Sequence, residues 1–201
     1  MKNIEKLLVL VPHQDARIQA LKYSKSLYKK ILKGVYPFPC VIPVASVIKP
    51  LNPDELKHTA HIFRRSIGKE KIKLVNFISA SIKICGKEMV LFGQRLDPEI
   101  TCDISNIGLK KIKSCFTPLI SGICLIPKDN EDKTSGFTAQ DKENCFSSLV
   151  KADNSISIND GLKINFWAAA VANMFWKPCA AKGEETFYKW KIGKLSWLPK
   201  K

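Results

Sequence analysis

Three histidines, seven cysteines and Ser121 stand out among the side chains of this chain able to attack as nucleophiles, transfer protons or bind metals. His58 and His61 stand three positions apart in NPDELKHTAHIF, and a helix there makes them neighbours able to share a metal. No acidic or cysteine partner is spaced to complete that site, and the same pair reads as two solvated helix residues. His13 follows a strand candidate and suits a cap or loop. The cysteines, at 40, 85, 102, 115, 124, 145 and 179, include no C-x-x-C pair, which argues against structural zinc. Cys40, in PFPC, is a candidate nucleophile. A reactive thiolate needs a base or a positive site beside it. No such partner is visible in the sequence, so Cys40 also reads as a small buried hydrophobe. Ser121, in FTPLISGICLIP, is either an anion-binding hydroxyl or a strand cap. There is no Walker-type phosphate loop and no G-x-G-x-x-G. Histidines so placed do not support a Ser-His-Asp triad.

The charge points to a class of partner. The 201 residues carry 33 Lys and Arg against 18 Asp and Glu, a net +15. The excess is uneven: residues 1–73 hold +10, residues 74–176 balance, and residues 177–201 hold +5. If the two ends meet, they form one positive face suited to nucleic acid, nucleotides or another polyanion. The alternative is a lysine-rich, solvated surface. Only four of the basic residues are arginines, the better bidentate readers of phosphate and bases. Near the C-terminus, FYKWKIGKLSWLPKK interleaves aromatics with lysines. That pattern fits stacking on single-stranded nucleic acid, and equally a half-buried strand with a wet lysine face.

A hydrophobic content of 45% supplies a globular core. No apolar run approaches the ~20 residues needed to span a bilayer. The opening MKNIEKLLVLVP is too charged and short for a secretory leader. A cytoplasmic protein with reduced cysteines and no membrane partner is therefore expected.

The elements that must position these groups follow from periodicity. KLLVLVP (6–12) reads as a strand, and Gln14 to Leu32 as a helix with Ile18, Leu21, Tyr28 and Leu32 on its apolar face. PFPCVIPVASVIKP (37–50) is a strand interrupted at Pro43. Asn52-Pro53-Asp54-Glu55 is a helix start, and the stripe Leu56, Ala60, Phe63, Ile67 runs to Gly68. KIKLVNFISASIKIC (71–85) and EMVLFGQRL (88–96) form a hairpin about Gly86-Lys87. Residues 97–114 are irregular, with one helical turn near Gly108–Lys113. A strand at 116–127 follows, then a polar loop. A helix runs from Thr138 to Lys151 over Phe146, Leu149 and Val150. A buried strand, or alternatively a helix, follows near 164–178, and a closing half-exposed strand near 187–199. The result is two similar α+β halves in succession.

This layout resembles the two-histidine (2H) phosphoesterase superfamily, which includes the RNA 2′,5′-ligase-like proteins and the cyclic phosphodiesterases. LLVLVPHQDARIQALKYSKSLYKK is similar to the family's opening strand and helix. PFPCVIP stands where its first motif belongs, and FTPLISGICL looks like the second. AVANMFWKPCAAKGEETFYKWKIGKLSWL is similar to its closing hairpin. The resemblance implies one bilobal domain over residues 1–201, with lobes near 1–100 and 101–201 and exchange of terminal strands. It implies antiparallel sheets lining a central cleft, with helices outside. It also implies a His-x-Thr or His-x-Ser motif on each of two facing strands. Here the first histidine falls on Cys40 and its partner on Ile42. The second falls on Leu119 and its partner on Ser121. Only Ser121 keeps the motif type. Neither Cys40 nor Leu119 is an imidazole with a pKa near neutrality, so the family's acid–base pair is missing. The expectation is a catalytically degenerate relative, without cofactor, that binds RNA, a nucleotide or another phosphate-bearing ligand. Its candidate contacts are Ser121, Cys40, Lys49 and Arg95. The alternatives are an active phosphodiesterase using replacement residues, or a protein-interaction module.

Overall fold

The computed structural model describes residues 4–12, 18, 21–22, 35–67, 74–96, 110–125, 139–155, 167–182 and 185–197. They form an α+β protein with two antiparallel sheets and two helices. The strands are β1 (Ile4–Pro12), β2 (Val35–Pro37), β3 (Ile42–Val47), β4 (Leu74–Ile84) and β5 (Lys87–Leu96). After them come β6 (Ile112–Cys115), β7 (Leu119–Leu125), β8 (Trp167–Lys182) and β9 (Glu185–Trp197). The helices are α1 (Pro53–Ile67) and α2 (Ala139–Ser155).

Sheet A runs in the order β6-β3-β1-β8-β9, and sheet B in the order β2-β7-β5-β4. Each sheet draws strands from both halves of the chain. The exchange takes place at two points. The proline-rich stretch at 35–47 enters sheet B as β2 and leaves in sheet A as β3. The stretch at 112–125 does the reverse, from β6 in sheet A to β7 in sheet B. The two stretches run antiparallel to each other. Tyr36 opposes Cys124 and Pro37 opposes Ile123 on the sheet B side, and Ala45 opposes Cys115 on the sheet A side. The Phe116 amide donates to the Val44 carbonyl at 2.8 Å, continuing the pairing toward the crossing.

Two apolar clusters account for most of the core. The inner one lies between the sheets. Leu7, Val9 and Val11 of β1 and Ala170, Ala172 and Met174 of β8 meet Ile82, Ile84, Met89 and Leu91 of the β4–β5 hairpin. The alternation of these residues along each strand is what two facing sheets require. The outer cluster joins Leu8, Leu10, Ile42, Val44, Ala45 and Val47 of sheet A to Ala60 of α1, with Leu56 and Ile62 packed against it. α2 lies on sheet B, where Phe146 packs against Phe77 with ring centroids 5.8 Å apart and Leu149 is fully buried.

α1 begins as its sequence predicts. The Asn52 side chain accepts from the Glu55 amide, and the Glu55 carboxylate accepts from the Asn52 amide, both at 2.8 Å. Lys111 Nζ, 2.8 Å from Glu55 Oε2, ties this cap to the turn before β6. The helix buries Thr59 as well as Ala60, because the Thr59 hydroxyl donates to the Glu55 carbonyl at 2.7 Å and carries no unmet polar atom inward.

Four sequence expectations change. The hairpin turn is Cys85-Gly86, both at positive φ (54° and 76°), one residue earlier than Gly86-Lys87. Residues 112–115, expected at the end of an irregular stretch (97–114) with a helical turn near Gly108–Lys113, are strand β6, because β3 offers them a sheet edge. β2 is a separate strand in the other sheet from β3. Of the helix expected over Gln14–Leu32, residues 18, 21 and 22 are described and are helical, but Ile18 and Leu21 are exposed instead of facing a core. The rest of that stretch, Tyr28 and Leu32 included, and His13 before it lie outside the described residues.

Candidate functional site

The two crossings place the candidate residues. Cys40 lies in the link between β2 and β3, Ile42 opens β3, Leu119 opens β7, and Ser121 follows in β7 opposite Gly93. Arg95, on β5, pairs directly with Leu119. Five of the six candidates therefore gather where the chain passes between the sheets. Lys49 stands apart, exposed in the link between β3 and α1.

The two positions set equivalent from the sequence do not come together. Cys40 packs against the outer cluster, and Leu119 is fully buried in the inner one, so they do not share a face. Val41 shares the inner cluster with Leu119, and Ile42 shares the outer cluster with Ile120. Phe38 is buried in the inner cluster and Phe116 packs against it. The three matched pairs are each separated by the same 78 positions, whereas Cys40 and Leu119 are 79 apart. The prolines explain the slip. The Pro39 carbonyl is used within its own tight turn, accepting from the Val41 amide at 2.8 Å. The Pro118 carbonyl accepts from Leu96 of the neighbouring strand at 2.9 Å. One proline heads a turn and the other lies beside a strand, so the residues following them are not equivalent.

The matched pair is thus Val41 and Leu119, 3% and 0% exposed. Neither transfers a proton or accepts a hydrogen bond through its side chain. Ile42, also fully buried, is equally inert toward a phosphate oxygen.

β5 supplies the polar group. Gly93 lies where β5 and β7 approach too closely for a side chain. A Cβ there would overlap the Ile120 carbonyl oxygen, 2.7 Å from its carbonyl carbon and 3.1 Å from Leu119 Cδ1. The register between the two strands shifts at this point. A glycine within an apolar strand pattern signals such an approach, and LFGQRL carried that signal in the sequence. Two residues on, Arg95 is half-buried, and its Nε is sealed from solvent with no hydrogen-bond partner.

The remaining chemistry is inert or structural. His58 and His61 are both exposed on α1, and among the described residues no cluster of His, Cys, Asp and Glu forms a metal site. Burial pushes the Cys145 thiol up to about 11. Burial raises the Cys124 thiol further, and the neighbouring Trp190 indole offsets little of that. Cys85 is raised by burial, against a smaller lowering from its backbone contact with Glu5. Glu5 was not singled out in the sequence, yet it links the sheets. One oxygen accepts from Ser46 of sheet A at 2.6 Å and the other from the Cys85 amide of the sheet B hairpin at 2.5 Å. Among the described residues no helix is long and apolar enough to cross a membrane.

No family model matches the chain, and no curated protein or solved structure matches it.

Proposed function

We propose that this chain is a non-catalytic binding protein for a phosphate-bearing ligand, RNA or nucleotide, on the two-lobed plan of the 2H phosphoesterases. The observation that carries the binding half is the charge on the strands of sheet A. The strands of sheet A carry seven lysines against two glutamates, with Lys189, Lys191 and Lys194 on β9, whereas those of sheet B carry three basic residues against one acidic. β1 and β9 are separated only by β8. The excess on sheet A, within a chain of net +15, attracts a polyanion and releases its counterions. The non-catalytic half rests on Val41 and Leu119. Loss of one general acid or base costs about 10²–10⁴ in rate, and here both positions are buried hydrocarbon. Support for the two-lobed plan comes from the paired crossings, which exchange strands between the sheets in opposite senses with a constant offset.

The test has two arms. Single-stranded RNA binding, measured by fluorescence anisotropy from low to physiological salt, should fall steeply. Three or more neutralised phosphates give a slope of about −2 or steeper in log K against log salt. An absence of binding at low salt would end the proposal. In parallel, 2′,3′-cyclic nucleotides should not be hydrolysed above background. Turnover that disappears in Cys40→Ala would establish the active alternative instead. Salt-independent capture of a protein, with no response to polyanions, would establish the interaction module.

A further inference from the structure

We propose that Arg95 anchors one phosphate group of the ligand, at the strand bulge on the inner face of sheet B. This deepens the binding reading above and rests on it for the nature of the anion. Three observations converge on the residue.

The first is the unmet donor. A guanidinium presents five N–H groups in a rigid fork and accepts none. Arg95 Nε is out of contact with solvent, yet no hydrogen-bond acceptor meets it. No described carboxylate pairs with Arg95, whereas Lys83 pairs with Glu88 and Lys111 with Glu55. Buried donors without acceptors are rare in folded proteins, and each asks for a reason. The Nε–H and one Nη–H of arginine point side by side, the spacing of two oxygens of a phosphate. An Nε left unmet is the inner half of that fork.

The second is the bulge. β4 pairs with β5 at Phe77–Gln94 and again at Leu74–Leu96. Val75 and Asn76 therefore both oppose the single residue Arg95. The extra residue interrupts the ladder at that point. Such bulges recur where a strand must re-aim one side chain.

The third is location. Residues paired directly across an antiparallel ladder send their side chains to the same face. Arg95 pairs with Leu119, which lies in the cluster between the sheets, so Arg95 is on that inner face at its open end. The crossing from β6 to β7 passes beside it, with Thr117 exposed there. The position is the one from which an anion held between the two halves would be reached, and it lies next to the Val41–Leu119 pair. Arg95 is the only arginine after Arg65 in a chain that otherwise uses lysine. A fork is needed where two oxygens are read at once, and a lysine point charge does not supply one.

The test reads the Arg Nε–H itself. The chain has four arginines, so a ¹H–¹⁵N spectrum of the folded, full-length protein carries at most four Nε–H signals. The Arg95 signal is the one missing from Arg95→Lys. Inorganic phosphate is titrated at constant ionic strength, with acetate as a carboxylate comparator. The expected result is a saturable shift of the Arg95 signal with phosphate, and Arg95→Gln binding phosphate at least 10-fold more weakly while keeping its backbone spectrum. A linear or absent shift of that signal overturns the anchor, as does saturation confined to other arginines. Saturation by acetate at equal or lower concentration overturns the phosphate assignment. Should Arg95→Gln fail to fold, the wild-type titration with the Arg95→Lys assignment decides alone. RNA binding with an unresponsive Arg95 sinks the anchor and leaves the basic-face reading intact; no RNA binding with a responsive Arg95 does the opposite.

Discussion

Gly93→Ala should be among the most damaging single-methyl changes in this protein, and the reason is local. The added Cβ would overlap the Ile120 carbonyl oxygen and stand 2.7 Å from its carbon. Carbon atoms in good contact are about 3.5–4.0 Å apart. Backbone cannot rotate away as a side chain can, so β5 and β7 must separate by about 1 Å. A ladder bond near 2.9 Å then stretches beyond the useful range of about 3.2 Å. Losing about two such bonds, with their groups left buried and unmet, costs about 3–5 kcal/mol. For a domain whose total stability is about 5–15 kcal/mol, that is a large share. With a urea slope of about 2 kcal/mol/M, the unfolding midpoint should drop by about 2 M. Two other glycines make the controls. A Cβ at Gly193 meets the Phe175 ring edge at 3.3 Å and Asn173 at ordinary contact distances of 3.5 and 3.6 Å, so Gly193→Ala should stay within about 0.5 kcal/mol of wild type. Gly86 has open space but φ +76°, so Gly86→Ala should cost about 1 kcal/mol from backbone strain alone. A Gly93→Ala midpoint within ~0.5 M of wild type would mean that the strands are not this close. The placement of Arg95 beside Leu119 would then lose its support.

Asn52→Ala removes the cap of α1 and should cost about 1 kcal/mol, read by thermal or urea unfolding; an unchanged midpoint would mean the helix does not start at Pro53. The hydrogen bond from Lys111, and next that from the Asn52 amide, hold the Glu55 carboxyl below its usual range. A depressed folded pKa contributes stability above the unfolded value and loses it as pH falls, so Glu55→Gln should flatten the acid limb of the stability curve below about pH 4.5. Cys124 and Cys145 behave oppositely. Their thiols ionise more readily once unfolded, so the stability they contribute is complete below about pH 8.5 and declines as pH rises beyond it. Urea midpoints at pH 8 and 10.5 should show that decline, and Cys124→Ala should lessen it. Equal slopes in the two proteins would remove burial of Cys124 as the cause. Both thiols should also resist alkylation at pH 8 in the native state, and rapid labelling of either would contradict their burial.

Features that a few neighbouring residues decide were readable from the sequence. The Asn52 cap, the β4–β5 hairpin, the apolar alternation of β1 and the strand near 119–125 all depend on local pattern, and all stand within a few residues of where they were expected. β6 was not readable, because IKSC becomes a strand only through the edge that β3 presents. The crossings were half readable. The repeated aromatic–proline–apolar pattern marked both, but periodicity cannot tell a strand that continues from one that changes sheets after a short link. That ambiguity misplaced the matched pair by one position. A one-residue slip reverses every side chain of a strand between two faces. Aligning the prolines sent Cys40 and Leu119 to a common face. The Pro39 turn sends Cys40 to the outer cluster and brings Val41 to the inner one instead. The correction bears on chemistry as well as register. Cys40 was the one nucleophile in the first motif, and it packs away from the face that Leu119 and Arg95 share. Covalent chemistry at Cys40 and anion capture at Arg95 therefore belong to different faces of the protein, and Cys40→Ala should leave the Arg95 response to phosphate unchanged.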